Sequence, residues 1–142
     1  MGEVTIHQLA GTKKALDACR LVESLYTSGR RVVVWIADGS RVATFDQYLW
    51  TFSPGSFVPH VACDGNEEAE DPVVIVSGTL TNPNRGDALV VVDRLDEPAA
   101  ASGFAEVHDL VAGTTEDEGK QERWAAAGFP VSRIRGVAGK SS

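Results

Sequence analysis

The residues of this chain that could carry out chemistry are few, and they do not form a recognised catalytic pattern. His60 and Cys63 stand three residues apart, which is the spacing of half a zinc site. The remaining cysteine and histidines stand singly elsewhere, whereas a structural zinc site usually shows two clustered pairs. Residues 136–141 end in Gly-Lys-Ser like a phosphate-binding loop, but Ile134 stands where the first glycine belongs. We therefore expect no catalytic residues, no cofactor and no metal ion.

Aromatic side chains are concentrated around one turn. Residues 46–60 contain four of the ten aromatic residues, Tyr48, Trp50, Phe52 and Phe57, on either side of a Ser-Pro-Gly corner. Such a density either completes a core or anchors another protein, because each ring buries a large area at small entropic cost. The residues alone leave both alternatives open, with the core the more common outcome.

Charge is distributed unevenly along the chain. The formal net charge is −7, yet residues 119–142 hold five basic residues and one acidic residue, so this end carries +4 and the rest −11. An acidic protein is not expected to bind nucleic acid in general, since neutralising phosphates requires a basic surface. A basic end on an acidic chain instead favours a local acidic partner.

Apolar runs predict the strands that must position these residues. Residues 4–9, 31–37, 72–76 and 88–92 are rich in apolar and β-branched side chains, as is typical of strands covered on both faces, and residues 105–111 show a weaker strand pattern. A strand, a helix and a strand joined by short connections form the right-handed crossover unit of a parallel sheet.

Three helices are predicted between and after these strands. Residues 12–28 have apolar side chains at helical spacing, with Thr12 as the cap. A second helix follows Asp38 and leads to the aromatic turn. The third begins at a capping box made by Thr115 and Glu118 and ends at Gly128. The sequence thus predicts one α/β domain over residues 1–142, a mostly parallel sheet with helices on both faces.

Cellular location is predicted from what the sequence lacks. No run approaches eighteen apolar residues, so we expect no membrane span. Two distant cysteines form no disulfide framework, and the first residues do not resemble a secretion signal. A reducing cytoplasm is the expected location.

Several motifs resemble the chi subunit family of bacterial DNA polymerase III. The most specific pair is Asp46-x-x-Leu49-Trp50 followed by Ser56-Phe57-Val58-Pro59-His60. An acidic loop and Pro72-Val73-Val74-Ile75 come next, and Trp124 stands four residues before Gly128-Phe129. Length and element order agree over nearly the whole chain. The resemblance implies a Rossmann-like fold without a nucleotide site and a non-catalytic accessory subunit of the clamp loader.

The family also implies two partners. Its members join the psi subunit to the single-stranded-DNA-binding protein, whose chain ends in a short acidic tail closed by Pro-Phe. The resemblance assigns to psi, or to a helicase at the same surface, the residues Trp50, Phe57, Val58 and Pro59. It assigns to the tail the residues Lys120, Arg123 and Trp124, with Arg133 or Arg135 nearby. Contacts to DNA would be indirect.

Other functions remain as alternatives. A small nucleotide-binding α/β enzyme or domain would use the same scaffold, with phosphate at a strand-to-helix turn near Gly11 or Asp38. A simple assembly protein would instead place Trp50 and Phe57 in a homodimer contact. The charges of the last helix would then be a solvated face with one half-buried tryptophan.

Overall fold

The strands of this chain form one parallel sheet in a computed structural model that describes residues 2–10, 13–55, 57–63, 68–113 and 117–137. The strands are β1 (Glu3–Gln8), β2 (Val32–Ile36), β3 (His60–Ala62), β4 (Val73–Ser77), β5 (Ala88–Val91), β6 (Glu106–Val111) and β7 (Val131–Arg135). The α-helices are α1 (Lys14–Thr27), α2 (Val42–Thr51) and α3 (Lys120–Ala126), and 3-10 helices span Gly39–Arg41 and Pro98–Ala101. The strand order is β3-β4-β2-β5-β6-β1-β7, with every described pair parallel.

The middle of the sheet is apolar on both faces. All five residues of β2 are buried, as are all four of β5. A parallel strand needs this composition because the crossover helices cover both faces of the sheet. The strands predicted from β-branched runs are therefore confirmed.

Helices pack on both faces, as predicted. On one face α1 and α2 enclose a core whose members include Leu21, Val22, Phe45, Leu49, Val34 and Ile36. On the other face α3 and the second 3-10 helix enclose a core that includes Ala101, Trp124, Phe129, Val33 and Trp35. In the described part of the chain, no helix is both long enough and apolar enough to cross a membrane.

The helix starts differ from those predicted. The N-cap of α1 is Lys13, which makes no side-chain cap bond, and Thr12 lies outside the described residues. The N-cap of α3 is Gly119 at φ +78°, so the helix begins later than the predicted capping box allows. Glu118 precedes this helix, and Thr115 lies outside the described residues. A positive φ suits glycine, which has no Cβ, and this explains the later start. The predicted end at Gly128 is confirmed, since Gly128 takes φ +94°.

The sequence does not predict strand β7. Residues 131–135 lie in the basic end of the chain, and they pair in parallel with β1 along the whole length of β7. Four of the five residues are exposed, and among the described strands only β1 pairs with β7. An edge strand of this kind does not need the apolar composition that reveals a central strand.

Candidate functional site

Trp50 and Phe57 form an exposed aromatic patch at the β3 edge of the sheet, and Pro59, which directly precedes β3, is half-buried. The exposed fraction is 40% for Trp50 and 67% for Phe57. Their ring centroids are 5.5 Å apart, and the ring of His60 lies 4.1 Å from that of Trp50. The patch is therefore a contiguous apolar surface with its own internal packing.

His60 holds the aromatic patch in a fixed position. Its Nδ1 lies 2.6 Å from the carbonyl oxygen of Val58, and its Nε2 lies 3.0 Å from the carbonyl oxygen of Asp46. His60 is 6% exposed and is the first residue of strand β3. Because both ring nitrogens lie within hydrogen-bond distance of backbone oxygens of flanking segments, the imidazole ring that Trp50 packs on is held in place.

Val58 does not belong to the aromatic patch, contrary to the assignment made from the resemblance. It is 1% exposed and packs in the same core as Phe45 and Leu49. The segment before β3 has no helical bonding, and in extended chain successive side chains point in opposite directions. Phe57 therefore points outward and Val58 inward.

Lys120 and Trp124 are also buried, which removes them from the surface expected for a tail peptide. Each is 3% exposed. Lys120 Nζ donates to Asp109 Oδ1 at 2.8 Å, and Trp124 Nε1 donates to Asp109 Oδ2 at 2.8 Å. Their polar atoms thus bond to the protein's own carboxylate, and direct contact with a peptide would require breaking these bonds.

A second carboxylate completes this buried network. Asp117 Oδ1 lies 3.1 Å from Lys120 Nζ and accepts from Lys14 Nζ at 2.8 Å, while its Oδ2 accepts from the Ala112 N–H. Burial raises the pKa of Asp109 despite the adjacent Lys120 ammonium. For Asp117 burial acts in the same direction, but the Ala112 N–H and the Lys14 ammonium together hold its pKa below the usual value. The network fixes α3 to the end of β6.

The remaining basic residues of the predicted tail site reach the surface. Arg123 is half-buried, and its Nη2 donates at 2.8 Å to each of two carbonyl oxygens, those of Leu95 and Asp96. Arg133 is exposed; its guanidinium donates to Gln121 Oε1 at 2.6 Å and also to Gln8 Oε1. Arg135 is exposed at the end of β7. Arg133 also borders a surface cavity of about 220 Å³.

Sequence reasoning missed Asp109 and Asp117, which decide where the last helix lies. Asp109 lies in β6 between two buried residues, His108 and Leu110. An acid inside a buried strand requires a buried partner, because an unpaired charge is costly to remove from water. That requirement was the available sign that a cation such as Lys120 would be drawn inward.

The positions that would favour a nucleotide or a metal ion offer little support for either. Asp38 accepts from the Ser40 N–H and caps the 3-10 helix, and Gly11 lies outside the described residues. Within the described ranges, no three His, Cys, Asp or Glu side chains are grouped so as to bind a metal ion. Both ring nitrogens of His60 lie within hydrogen-bond distance of backbone oxygens, as described above.

Comparison with known proteins identifies the family. The family described as DNA polymerase III chi subunit, HolC, matches residues 1–128. This chain belongs to the DNA polymerase III chi subunit family. The resemblance inferred from the aromatic motifs is thereby confirmed.

Several chi subunits are similar to the chain. It is 29% identical to the DNA polymerase III subunit chi of Escherichia coli (strain K12), over 92% of this chain and 89% of that protein. It is 27% identical to that of Haemophilus influenzae over 66% of this chain and 65% of the relative. A probable subunit chi of Rickettsia prowazekii is 31% identical over 54% of this chain, and the match spans 46% of that protein.

Several solved structures with a similar fold belong to a different class of protein. The C-terminal domain of the DEAD-box protein Dbp5 superposes with a TM-score of 0.60 at 12% identity, covering 95% of this chain and 90% of that domain. The same domain of S. cerevisiae Dbp5 bound to Gle1 gives 0.61 at 13% identity, with the same coverage. In a longer Dbp5 chain the match spans 41% of the length. At such low identity the likeness shows the fold alone, and it agrees with the Rossmann-like prediction.

Proposed function

We propose that this chi-family chain is a non-catalytic accessory subunit of the DNA polymerase III clamp loader. It joins the psi subunit to the acidic C-terminal tail of the single-stranded-DNA-binding protein during replication. The aromatic patch binds psi, or a helicase at the same surface, and the arginines at the other edge bind the tail. The protein works in the cytoplasm and contacts DNA only indirectly.

The observation that carries this proposal is the separation of the two surfaces. Trp50 and Phe57 lie beside β3, and Arg133 and Arg135 lie on β7, which are the two edges of one seven-stranded sheet. Strands in a sheet are about 4.8 Å apart, so the two edges are roughly 29 Å apart. Two partners can therefore be held at once without touching each other.

The chemistry of each surface suits its proposed partner. Trp50 and Phe57 are of the aromatic type that dominates protein interfaces, and the core is closed beneath them by Leu49 and Val58. The carboxylates of an acidic tail require cations, and arginine is the cation best suited to pairing with them. Arg133 and Arg135 supply such groups in exposed positions.

Titration with a labelled acidic peptide ending in Pro-Phe tests the tail partner. Binding should weaken as salt is raised, since exposed ion pairs are screened. Arg135→Gln should weaken it about threefold, because a solvent-exposed charge pair contributes up to about 1 kcal/mol. Arg20→Gln is the matched control, an exposed arginine on α1, and should leave binding unchanged. If the same peptide without its final Phe bound with equal affinity, this part of the proposal would be refuted.

Co-purification with psi tests the aromatic patch. Trp50→Ala should abolish capture of psi while leaving peptide binding intact, whereas Arg135→Gln should weaken peptide binding and leave capture of psi intact. Because the two surfaces lie on opposite edges, neither variant should affect both partners. Retained capture of psi by both Trp50→Ala and Phe57→Ser would show that this patch is not the psi surface.

A further inference from the structure

Strand β7 is an open edge of the sheet with a basic character. It pairs with β1 on one side, and among the described residues no strand pairs with its other side. Arg133, Ile134 and Arg135 are all exposed, with Ile134 at 37%. The opposite edge, β3, has only three residues and lies beside the aromatic patch. An edge as long as β7 is a template for another strand.

The backbone bonds identify which residues of β7 face outward. The Val4 N–H donates to Pro130 O at 2.8 Å, and the Gly136 N–H donates to Gln8 O at 2.9 Å. Positions 130 and 136 therefore point toward β1, and the direction of backbone groups alternates along a parallel strand. It follows that the N–H and C=O groups of Arg133 and Arg135 point away from the sheet.

As far as the structure describes it, to residue 137, the chain that follows β7 does not cover this edge. Gly136 is bonded to Gln8 at the end of β1, and Val137 is 6% exposed in the core that contains Leu9. The chain thus turns back over the α1 face of the sheet. Within the described residues, nothing that follows β7 bonds to the outward N–H and C=O groups of Arg133 and Arg135.

Side chains on β7 divide between the two faces. Arg133 lies on the α3 face, where it bonds to Gln121, and Arg135 shares that face because side chains alternate with a period of two. Ile134 therefore lies on the opposite face. An added strand with the pattern carboxylate, apolar, carboxylate would meet an arginine, an isoleucine and an arginine in turn.

We propose that the acidic tail binds by strand addition to the outer edge of β7. The backbone groups of Arg133 and Arg135 bond to the tail, their guanidinium groups pair with its carboxylates, and an apolar tail residue packs on Ile134. This inference rests on the proposed function and adds the binding mode. A second copy of this chain is a poorer occupant, since it would bring Arg133 and Arg135 against the same arginines.

Peptides with single backbone N-methyl groups test this binding mode on the full chain. Each non-proline residue of the acidic peptide is N-methylated in turn, and the affinity is measured by fluorescence anisotropy. N-methylation should weaken binding about tenfold at alternate residues, whose N–H groups face β7, because one backbone hydrogen bond is lost. At the residues between them the change should stay below about twofold.

The outcomes separate the binding mode from the function. Tight binding of the unmodified peptide without a period-two pattern overturns strand addition and leaves the proposed function standing. No binding of the unmodified peptide overturns both. A dimer that forms at high protein concentration through this edge and is not displaced by saturating peptide would assign the edge to a second copy and overturn the proposal. Ile134→Ser should weaken binding by about as much as replacing the apolar residue of the peptide that packs on Ile134. Arg20→Gln should leave binding unchanged.

Discussion

Replacing Lys120 by methionine should destabilise the fold strongly, although the residue sits in a region predicted to bind a partner. Lys120 Nζ lies 2.8 Å from Asp109 Oδ1 and 3.1 Å from both Leu110 O and Asp117 Oδ1. The side chains of Lys120 and Asp109 are each 2% exposed. Removing one partner of a buried ion pair costs about 3–5 kcal/mol, because the other charge stays buried without compensation. That is a large part of the free energy of unfolding of a typical domain, about 5–15 kcal/mol.

The loss of stability in Lys120→Met should depend on pH in a defined direction. Burial already raises the pKa of Asp109, and removing the ammonium raises it further. An acid whose pKa is higher in the folded than in the unfolded state destabilises the fold as pH rises above the unfolded value of about 4. The deficit relative to the unaltered protein should therefore grow from pH 4.5 to pH 7.5.

A second substitution should recover part of this loss. Asn at position 109 carries no charge, and its side-chain oxygen can still accept from Trp124 Nε1, which lies 2.8 Å from Asp109 Oδ2. The double variant Lys120→Met with Asp109→Asn should be more stable than Lys120→Met alone by about 1–3 kcal/mol at pH 7. Asp117 should be affected less, since Lys14 and the Ala112 N–H remain bonded to it.

Urea unfolding followed by circular dichroism measures these free energies at each pH. Lys13→Met is the matched control, since Lys13 is exposed and should change stability by no more than about 0.5 kcal/mol. If Lys120→Met behaves like Lys13→Met at every pH, the buried network does not stabilise the fold and the reasoning is wrong. If it is destabilised as expected, loss of peptide binding in a Lys120 variant reports unfolding rather than a lost contact.

Two further predictions follow from the buried titratable groups. Burial and the neighbouring His108 lower the pKa of His7 to about 4, so the free energy of unfolding should fall by roughly 3 kcal/mol as pH drops from about 6.5 to about 4. His7→Gln should flatten this part of the urea-derived profile, and an unchanged slope would contradict the assignment to His7. Burial raises the pKa of Cys19 to about 12, so iodoacetamide at pH 8 should modify Cys63 and spare Cys19. Mass spectrometry counts the adducts, and modification of Cys19 in the folded protein would refute its burial.

The fold was predictable where composition is forced by burial on two faces. Strand β2 is a run of five buried residues, and no solvated element tolerates that composition. The α1 pattern is equally plain, since Cys19, Val22 and their neighbours on one side of the helix are buried. Strand β7 gave no such pattern because an edge strand can be mostly exposed and polar.

The candidate site was predictable in residue type but not in orientation. Lys120, Arg123 and Trp124 share one side of α3, and local spacing cannot say whether that side faces solvent or β6. The answer depends on Asp109, which is fifteen residues from Trp124 and bonds to it only in the folded chain. Pairing over such a distance leaves no local pattern to read.

The aromatic patch and the buried network each contain a tryptophan, but one tryptophan is exposed and the other is buried. Trp50 stays 40% exposed although Leu49 beside it closes the core, so its exposed area gains nothing for the fold and is open to the partner proposed above. Trp124 is 3% exposed and bonded to Asp109, so it already has the neighbours that a partner would supply. A tryptophan whose burial the chain itself leaves incomplete is therefore the better candidate for an interface, and this condition separates Trp50 from Trp124 where residue type does not.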